Sequence, residues 1–495
     1  MADPAWDVVV VGAGTAGCAV AARLADAGRR VLLLEAGTVP EGPGDWPPEL
    51  RDPADLAAAR PGHPANWDLP AALTDDLVVR VPRGRVAGGS SAINAAVFLR
   101  ATAADLDRWA ATGPLWAPAA VLAAYRRSEA DADFGGSPLH GADGPVPVRR
   151  LPSPSPLADG MATAAAELGF PDEPDKNGAG PAGYGPIPFN VAGGVRINAA
   201  MAYLAPRAGS ARLTVRGDAV VRRVLVERGR AVGVVTDDGP VRAGEVVLSA
   251  GAVGTPHLLL RSGLGPAADL TAAGIDVVAD LPGVGSGSGD HPLVYVPFLA
   301  DPGSHRSTAR LHGVLHASVD GTADGEVELL PWLRPFGGEP ELSIGVGLQR
   351  PVARGRLRLG ADPDGPPLVE YRYLTGESDR ARLRAGVRLA ARLLATDALR
   401  DLGAGRVAPG AAVLEDDRLL DRWIREHLTT AVHLSATARS GPDGDPGAVV
   451  DQELRVRGVD GLRLADTSVL PDVPTRGPAA TAVMVGERAA EVIGG

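Results

Sequence analysis

Lysine and cysteine are nearly missing from this chain. Of its 49 lysines and arginines only Lys176 is a lysine, and Cys18 is the one cysteine. A lone thiol excludes a disulfide framework and a cysteine metal cluster. Its place in a run of small residues makes it a buried filler rather than a nucleophile. The scarcity of lysine beside abundant Ala, Gly and Pro reflects GC-rich coding, which bears on ancestry and not on mechanism. No apolar run reaches 18 residues, so no stable membrane insertion is expected. No charged leader with an apolar segment precedes the first strand at residue 7, and a cytoplasmic protein is expected. Basic runs are absent too, and with a net charge of -11 this argues against nucleic acid or an anionic membrane as partner. No internal repeat is present. The 495 residues, 45% of them hydrophobic, suffice for two domains, each with its own core.

What is present begins at the N-terminus. Asp7-Val-Val-Val-Val-Gly12-Ala-Gly14-Thr15-Ala16-Gly17 reads as a strand buried on both faces, a tight turn and the start of a helix, and Arg30-Val-Leu-Leu-Leu-Glu35-Ala36-Gly37 as a second strand. Gly12 permits the turn, Gly14 leaves room for a pyrophosphate at the helix N-terminus, and Gly17 lets helix and strand pack closely. Glu35 ends the second strand, where a carboxylate can accept the ribose hydroxyls of a dinucleotide. After a proline-rich loop comes a second glycine stretch, Gly84-Arg85-Val-Ala-Gly88-Gly89-Ser90-Ser91-Ala-Ile93-Asn94-Ala95. Paired glycines before serines offer backbone N–H groups and hydroxyls to a phosphate or an electron-rich ring.

Together these stretches resemble the glucose-methanol-choline (GMC) family of flavoprotein oxidoreductases, whose members bind FAD and mostly oxidise alcohols. The resemblance continues in Gly194-Val-Arg196, Ala202-Tyr203-Leu204, Val221-Arg-Arg-Val224, Val246-Val-Leu-Ser249-Ala250-Gly251-Ala252-Val-Gly254-Thr255-Pro256, and Leu462-Arg-Leu464-Ala465-Asp466-Thr467-Ser468. It implies an α/β FAD-binding (Rossmann-like, GMC type) domain from 1–150, 190–292 and 440–495. An α+β substrate-binding cap with an antiparallel sheet would come from 151–189 and 293–439. Strands are expected near 325–330, 341–348 and 356–359, and helices near 378–394 and 416–428. FAD contacts are implied for Gly12, Gly14, Thr15, Ala16, Gly17, Glu35, Ala36, Arg85, Gly88, Gly89, Ser90, Ser91, Asn94, Ala95, Val221, Ser249, Ala250, Gly251, Asp466, Ala479 and Thr481. The flavin would be non-covalent, because Ile93 stands where some members carry a tethering histidine.

The chemistry falls to the tail. Imidazole has a suitable pKa to take a hydroxyl proton, and the family carries its base in an H-x-x-G-T segment. Here that segment is His433-Leu-Ser-Ala436-Thr437, with Ala436 replacing the glycine, so His433 is the expected base. The family's second catalytic His or Asn aligns with Ala479, which can neither donate nor accept. Loss of that hydrogen bond would cost about 10²-fold in rate unless Asn94, Arg476, Thr437 or the substrate replaces it; Asn94 is the second catalytic candidate. His291, in Asp290-His291-Pro292, reads as a structural residue. His312 and His316 have a spacing that binds metal only on a helix; their neighbours look strand-like, and no metal is expected.

The implied activity is oxidation of a small-molecule alcohol by an FAD-dependent dehydrogenase rather than a fast oxidase. Its electron acceptor would be oxygen, a quinone or another carrier. Pro474-Thr-Arg-Gly477-Pro478-Ala-Ala-Thr481 is similar to the tail of mycofactocin-linked members, and a tailoring role in secondary metabolism is an equal expectation. The alternatives are non-redox chemistry, as in members that cleave hydroxynitriles or photodecarboxylate fatty acids, and flavin binding without catalysis.

Overall fold

Valine and leucine side chains leave neither Trp6–Val11 nor Val31–Leu34 a polar face, which drives both into a sheet covered on two sides. The computed structural model describes residues 6–42, 44–305, 309–319, 325–333 and 341–494. In it the two strands lie parallel, Val8 opposite Val31. Leu213–Arg216 extends the sheet beyond Val31–Leu34, and Gly239–Leu248 flanks the first strand on its other side. This long strand changes partners along its length. Its C-terminal part pairs in parallel with Leu462–Leu464, and its N-terminal part pairs antiparallel with Arg230–Thr236, which carries Val221–Glu227 at its edge. The parallel strands therefore end together at Val11, Leu34 and Leu248, the edge where such a sheet opens its ligand crevice.

The first helix, Thr15–Asp26, and the terminal helix, Ala479–Gly494, cross closely over this sheet. A Cβ on Gly486 would lie 2.5 Å from the Ala16 carbonyl oxygen, so only glycine allows the approach. Buried Glu487 locks the crossing, accepting from Arg23 Nε (3.0 Å), Arg127 Nε (2.8 Å) and Tyr203 OH (2.7 Å).

Pro292–Leu299, Leu342–Leu348, Val327–Trp332 and Gly313–Ala317 form the antiparallel cap sheet in that order. Its alternation separates two faces. Val294, Val296, Phe298, Ile344 and Val346 lie in the main core with the helix Glu377–Leu394, where Gly386 comes so close that a Cβ would sit 2.8 Å from Val346 Cγ1. Tyr295, Leu330, Val314 and Trp332 instead pack with Ala95, Ala96, Val97 and Phe189 in a separate apolar cluster beside the second glycine stretch. The strand expected near 356–359 forms as Gly355–Arg358 but does not enter the cap sheet. It lies between Ser286–Ser288 and Leu368–Glu370, and the latter runs parallel to Leu69–Ala72, so a segment from the first 150 residues shares a sheet with the cap stretch. The helices Glu377–Leu394 and Asp417–Glu426 form where the sequence predicts them. Among the described residues no helix is long and apolar enough to cross a membrane.

Candidate active site

The glycines of the first turn do different work. A Cβ on Gly17 would lie 2.0 Å from Gly12 O, and one on Gly12, whose φ is +97°, would lie 2.6 Å from Ser249 O; both are required by packing. On Gly14 a Cβ would meet only Ser249 O at 3.7 Å. The protein itself does not need that glycine, and the space above it suits a ligand. No side chain caps the helix N-terminus there and no acid stands in its first turn, which Thr15, Ala16 and Gly17 open, so its N–H groups can meet an anion. Gly88 and Gly89, both with positive φ, close over the turn: Gly88 N–H donates to Ala13 O at 2.7 Å, and a Cβ on Gly89 would come within 2.7 Å of Gly14 Cα.

Glu35 is buried at the end of its strand and accepts from Ala13 N–H (2.9 Å) and Gly37 N–H (3.0 Å). Burial pushes its pKa up to about 7, while those N–H groups, that of Ala36 and the nearby Arg85 oppose the rise. Arg85 is exposed, its guanidinium 4.9 Å from the centre of the Trp67 ring. Fully buried Arg196 ties the loop at 49–55 to the second glycine stretch, donating to Ala92 O (2.6 Å), Asp52 O (2.9 Å) and Asp55 O (2.9 Å).

Several expected cofactor contacts have polar groups already engaged by the fold. Ser91 donates to Gly88 O and accepts from Ala199 N–H, Ser90 accepts from Gly84 N–H, and Asn94 Oδ1 accepts from Ala96 N–H. Ser249 donates to Ala465 O. Asp466 accepts from Gly251 N–H, Thr255 and Ser468 N–H, which holds the helix start at Ala250 and Gly251 against the tail. Thr481 Oγ1 is bonded to Tyr125 OH at 2.7 Å. Ala95 borders the apolar cluster, Val221 begins its strand opposite Thr236, and half-buried Ala479 opens the terminal helix. The glycine cradle, the free helix N-terminus and the buried acid fit a dinucleotide.

His433 sits in a strained segment. Val432 and Ala436 on either side have φ of +66° and +64°, and a positive φ on a β-branched residue is rare. Asp290 explains how the segment is held: its Oδ1 accepts from both His291 N–H (2.6 Å) and His433 N–H (2.8 Å). One carboxylate oxygen thus clamps both histidine backbones. The rings meet edge to face, at 84° with centroids 5.0 Å apart, and Nδ1 of His291 lies 2.8 Å from Nδ1 of His433. His433 remains partly open, and its Nε2 faces the tail, where a Cβ on Gly477 would lie 3.2 Å away. Among the described residues no hydrogen bond occupies that nitrogen. Burial, reinforced by the Arg83 guanidinium, pushes the His433 pKa down to about 3, so the imidazole is neutral at ordinary pH. The tail is fixed in turn by buried Asp105, which accepts from Thr475 N–H (2.9 Å) and Thr475 OH (2.6 Å).

Sequence reasoning reads His291 as a hydrogen-bonded structural residue, and the structure shows that its hydrogen-bond partner is His433. Asp290 and Arg83 were not singled out at all; the Asp-His-Pro run was the one available signal. His312 and His316 do not form a pair. Four residues along extended chain span about 13 Å, and His316 instead contacts Lys176 Nζ (3.1 Å) and Glu328 (3.2 Å) on the cap sheet. Arg476, also buried, donates to Gly325 O and Thr475 O, and its charge reaches Glu328, Lys176 and both His291 and His316.

The GMC oxidoreductase profile matches residues 6–293 and, in its C-terminal part, 351–486. An uncharacterized GMC-type oxidoreductase of Rhodococcus erythropolis is 40% identical, over 98% of this chain and 98% of the relative. The oxygen-dependent choline dehydrogenase of Photobacterium profundum is 34% identical over 99% of this chain and 93% of its own length. Pyridoxine 4-oxidase from Mesorbium loti superposes with a TM-score of 0.90 at 29% identity, covering 98% of each chain. With these matches spanning both the nucleotide crevice and the histidine-bearing tail, the chain belongs to the GMC oxidoreductase family, as an FAD-dependent oxidoreductase acting on CH–OH donors.

Proposed function

We propose that this protein oxidises a neutral alcohol with an apolar or aromatic body to its carbonyl compound, as a dehydrogenase rather than a fast oxidase, with His433 Nε2 taking the hydroxyl proton. The observation that carries the reading is a neutral imidazole whose Nδ1 is engaged and whose Nε2 is open beside the tail. Held by the glycine crevice, FAD supplies the acceptor for the carbon-bound hydrogen. The chain's own task is the proton: the O–H bond breaks, an N–H bond forms on His433, and among the described residues no carboxylate touches the ring to trap the charge.

The substrate class follows from the cap. Tyr295, Leu330 and Trp332 make the cap apolar and aromatic where it packs beside Ala95 and Val97. The carboxylate on this sheet, Glu328, is bonded to His316 and lies in the field of Arg476 and Lys176, leaving it a poor partner for a quaternary ammonium. Although several relatives are named choline dehydrogenases, choline is therefore expected to be a weak substrate here.

The test is anaerobic mixing of the FAD-loaded protein with benzylic, aliphatic and choline alcohols while the flavin absorbance is followed. Benzylic or aliphatic alcohols should bleach it, choline should not, and His433→Ala should slow bleaching by about 10²–10⁴-fold. Slow recovery of colour in air marks a dehydrogenase; rapid recovery with peroxide marks an oxidase and overturns that part. Bleaching of His433→Ala at the wild-type rate, or bound flavin that no alcohol reduces, would sink the proposal.

A further inference from the structure

Resting on that reading of His433 as base, we propose that His291 is its positioning partner. In this reading His291 accepts the Nδ1–H of His433, fixing the tautomer that leaves Nε2 bare for the alcohol. It thereby provides, from behind the base, orientation for a centre that lacks the His or Asn expected at Ala479.

Two neutral imidazoles 2.8 Å apart through their Nδ1 atoms must share one proton between them. If His291 donated, His433 would carry its hydrogen on Nε2 and present no lone pair to a substrate. The surroundings of His291 decide the direction. Its ring is fully buried, the backbone carbonyls of Pro474 and Gln349 lie near the ring, and its Nε2 has no hydrogen-bond partner among the described residues. Carbonyl oxygens beside a buried ring repel a bare lone pair and attract an N–H, and with Nδ1 turned to His433 the nitrogen left to carry that hydrogen is Nε2. His291 is therefore the Nε2–H tautomer, its Nδ1 is the acceptor, and His433 is the donor at Nδ1 and the base at Nε2.

The pairing is built into the backbone. Asp290 Oδ1 holds both N–H groups, and the flanking residues exchange hydrogen bonds, Ser435 N–H to Gly289 O at 2.9 Å and Gly289 N–H to Ser435 O at 3.1 Å. The charged groups facing the pair are Asp290, whose Oδ1 is spent on the two backbones, Arg83 near His433 and Arg476 near His291. Among the described residues neither ring has a carboxylate partner, and the other imidazole is the group placed to orient it. This differs from the usual arrangement in which an acid orients the base.

The test uses the FAD-loaded protein and two independent readouts. In the wild type labelled with ¹⁵N-histidine, two-bond proton–nitrogen correlations should give His433 a protonated Nδ1 and a bare Nε2. A protonated Nε2 on His433 would overturn the proposal without any kinetics. In anaerobic flavin reduction, His291→Phe removes the acceptor and should lower the limiting rate by about 10²-fold, with the half-saturating alcohol concentration changed less than about threefold. His291→Asn keeps an acceptor oxygen and should recover most of that loss. If His433→Ala is dead while His291→Phe, with its flavin spectrum intact, runs at the wild-type rate, the partner role is wrong and the base stands. If His433→Ala itself is unimpaired, the base assignment has failed instead. Should His291→Phe not fold, the nitrogen assignment in the wild type decides alone.

Discussion

Two histidines in this protein are held in opposite states. Among the described residues His433 meets no carboxylate with its ring, and burial together with Arg83 pushes its pKa down to about 3. His140 is fully buried, whereas His433 is partly open; yet the Nδ1 of His140 lies 2.9 Å from Glu129 and 3.1 Å from Asp131, and its Nε2 lies 2.8 Å from Asp175. Burial alone would lower its pKa too, but those three acids override it and raise the value to about 10. Arg100 and Arg150 complete the cluster by pairing with Glu129, Asp131 and Asp175. Glu129, Asp131 and His140 lie close enough to hold a metal ion, but the arginines already bring the positive charge that an ion would supply. One imidazole is a cation at ordinary pH and ties segments together; the other is kept neutral. The difference lies in what each carboxylate is aimed at, since Asp290 beside His433 spends its Oδ1 on backbone N–H groups and not on a ring.

The largest expected effect is a double dissociation between the two centres. His433→Ala should slow alcohol-driven flavin bleaching by about 10²–10⁴-fold and move the melting temperature little. His140→Leu leaves buried acids short of a partner and should cost about 3 kcal/mol of stability, read by thermal or denaturant unfolding. The folded fraction of His140→Leu should still reduce its flavin at the wild-type rate. A loss of rate per folded molecule in that variant would mean that the cluster communicates with the site.

The same contrast should appear in the pH dependence of unfolding. His140 binds its proton more tightly folded than unfolded, so its contribution is complete below the unfolded pKa of about 6.5 and is lost as pH rises through about 10. Asp131 and Asp175 are held below the ordinary carboxylate range, chiefly by His140 and Arg150 against burial, so their share fades only in strong acid. His433 has the reverse sign. Its proton is bound more tightly unfolded, and the penalty for keeping it neutral grows as pH falls from about 6.5 toward its folded value of about 3. Removing His140 should therefore flatten the alkaline side of the stability curve, and removing His433 the acid side.

How much of this was legible in the chain differs between the two halves of the site. The nucleotide crevice was readable because Gly12, Gly14, Gly17 and Glu35 act within one contiguous stretch, where spacing alone fixes geometry. His433, the base proposed above, could be singled out through its place in the tail. His291 was not legible as its partner, because its pairing with His433, 142 residues away, depends on the sheet register that sets Pro292 opposite Thr430. The His140 cluster was invisible for the same reason. Hydroxyls such as those of Ser91 and Thr481 were read as ligand contacts from their motifs, and only the fold reveals the internal partners that occupy them.

Arg83 gives a finer handle on the neutral centre. It is the second cause of the low His433 pKa, after burial, and it also donates to Val432 O at 3.2 Å. Arg83→Gln removes the charge while keeping a donor for that carbonyl. The acid limb of the pH–rate profile for flavin reduction should move to higher pH by roughly one unit or less, since burial remains. An unmoved limb would assign the depression to burial alone, and a downward shift would contradict the charge argument.

The smallest expected effect concerns the strain that separates the two centres. Among the described residues none from 129 to 150 has a positive φ, whereas Val432 and Ala436 flank His433 with φ of +66° and +64°. A left-handed conformation costs a non-glycine residue about 1 kcal/mol, and Ala436 stands where the family pattern has glycine. It stays there because Ala436 N–H donates to Thr467 O and Ser435 exchanges hydrogen bonds with Gly289, which over-determine the backbone. Ala436→Gly should release the strain but also free the unfolded chain, and the two nearly offset. The net gain is expected to stay below about 1 kcal/mol, with the bleaching rate unchanged because Asp290 still clamps His433. A rate that falls while stability rises would instead place the alanine methyl among the contacts that keep the imidazole aimed at the alcohol.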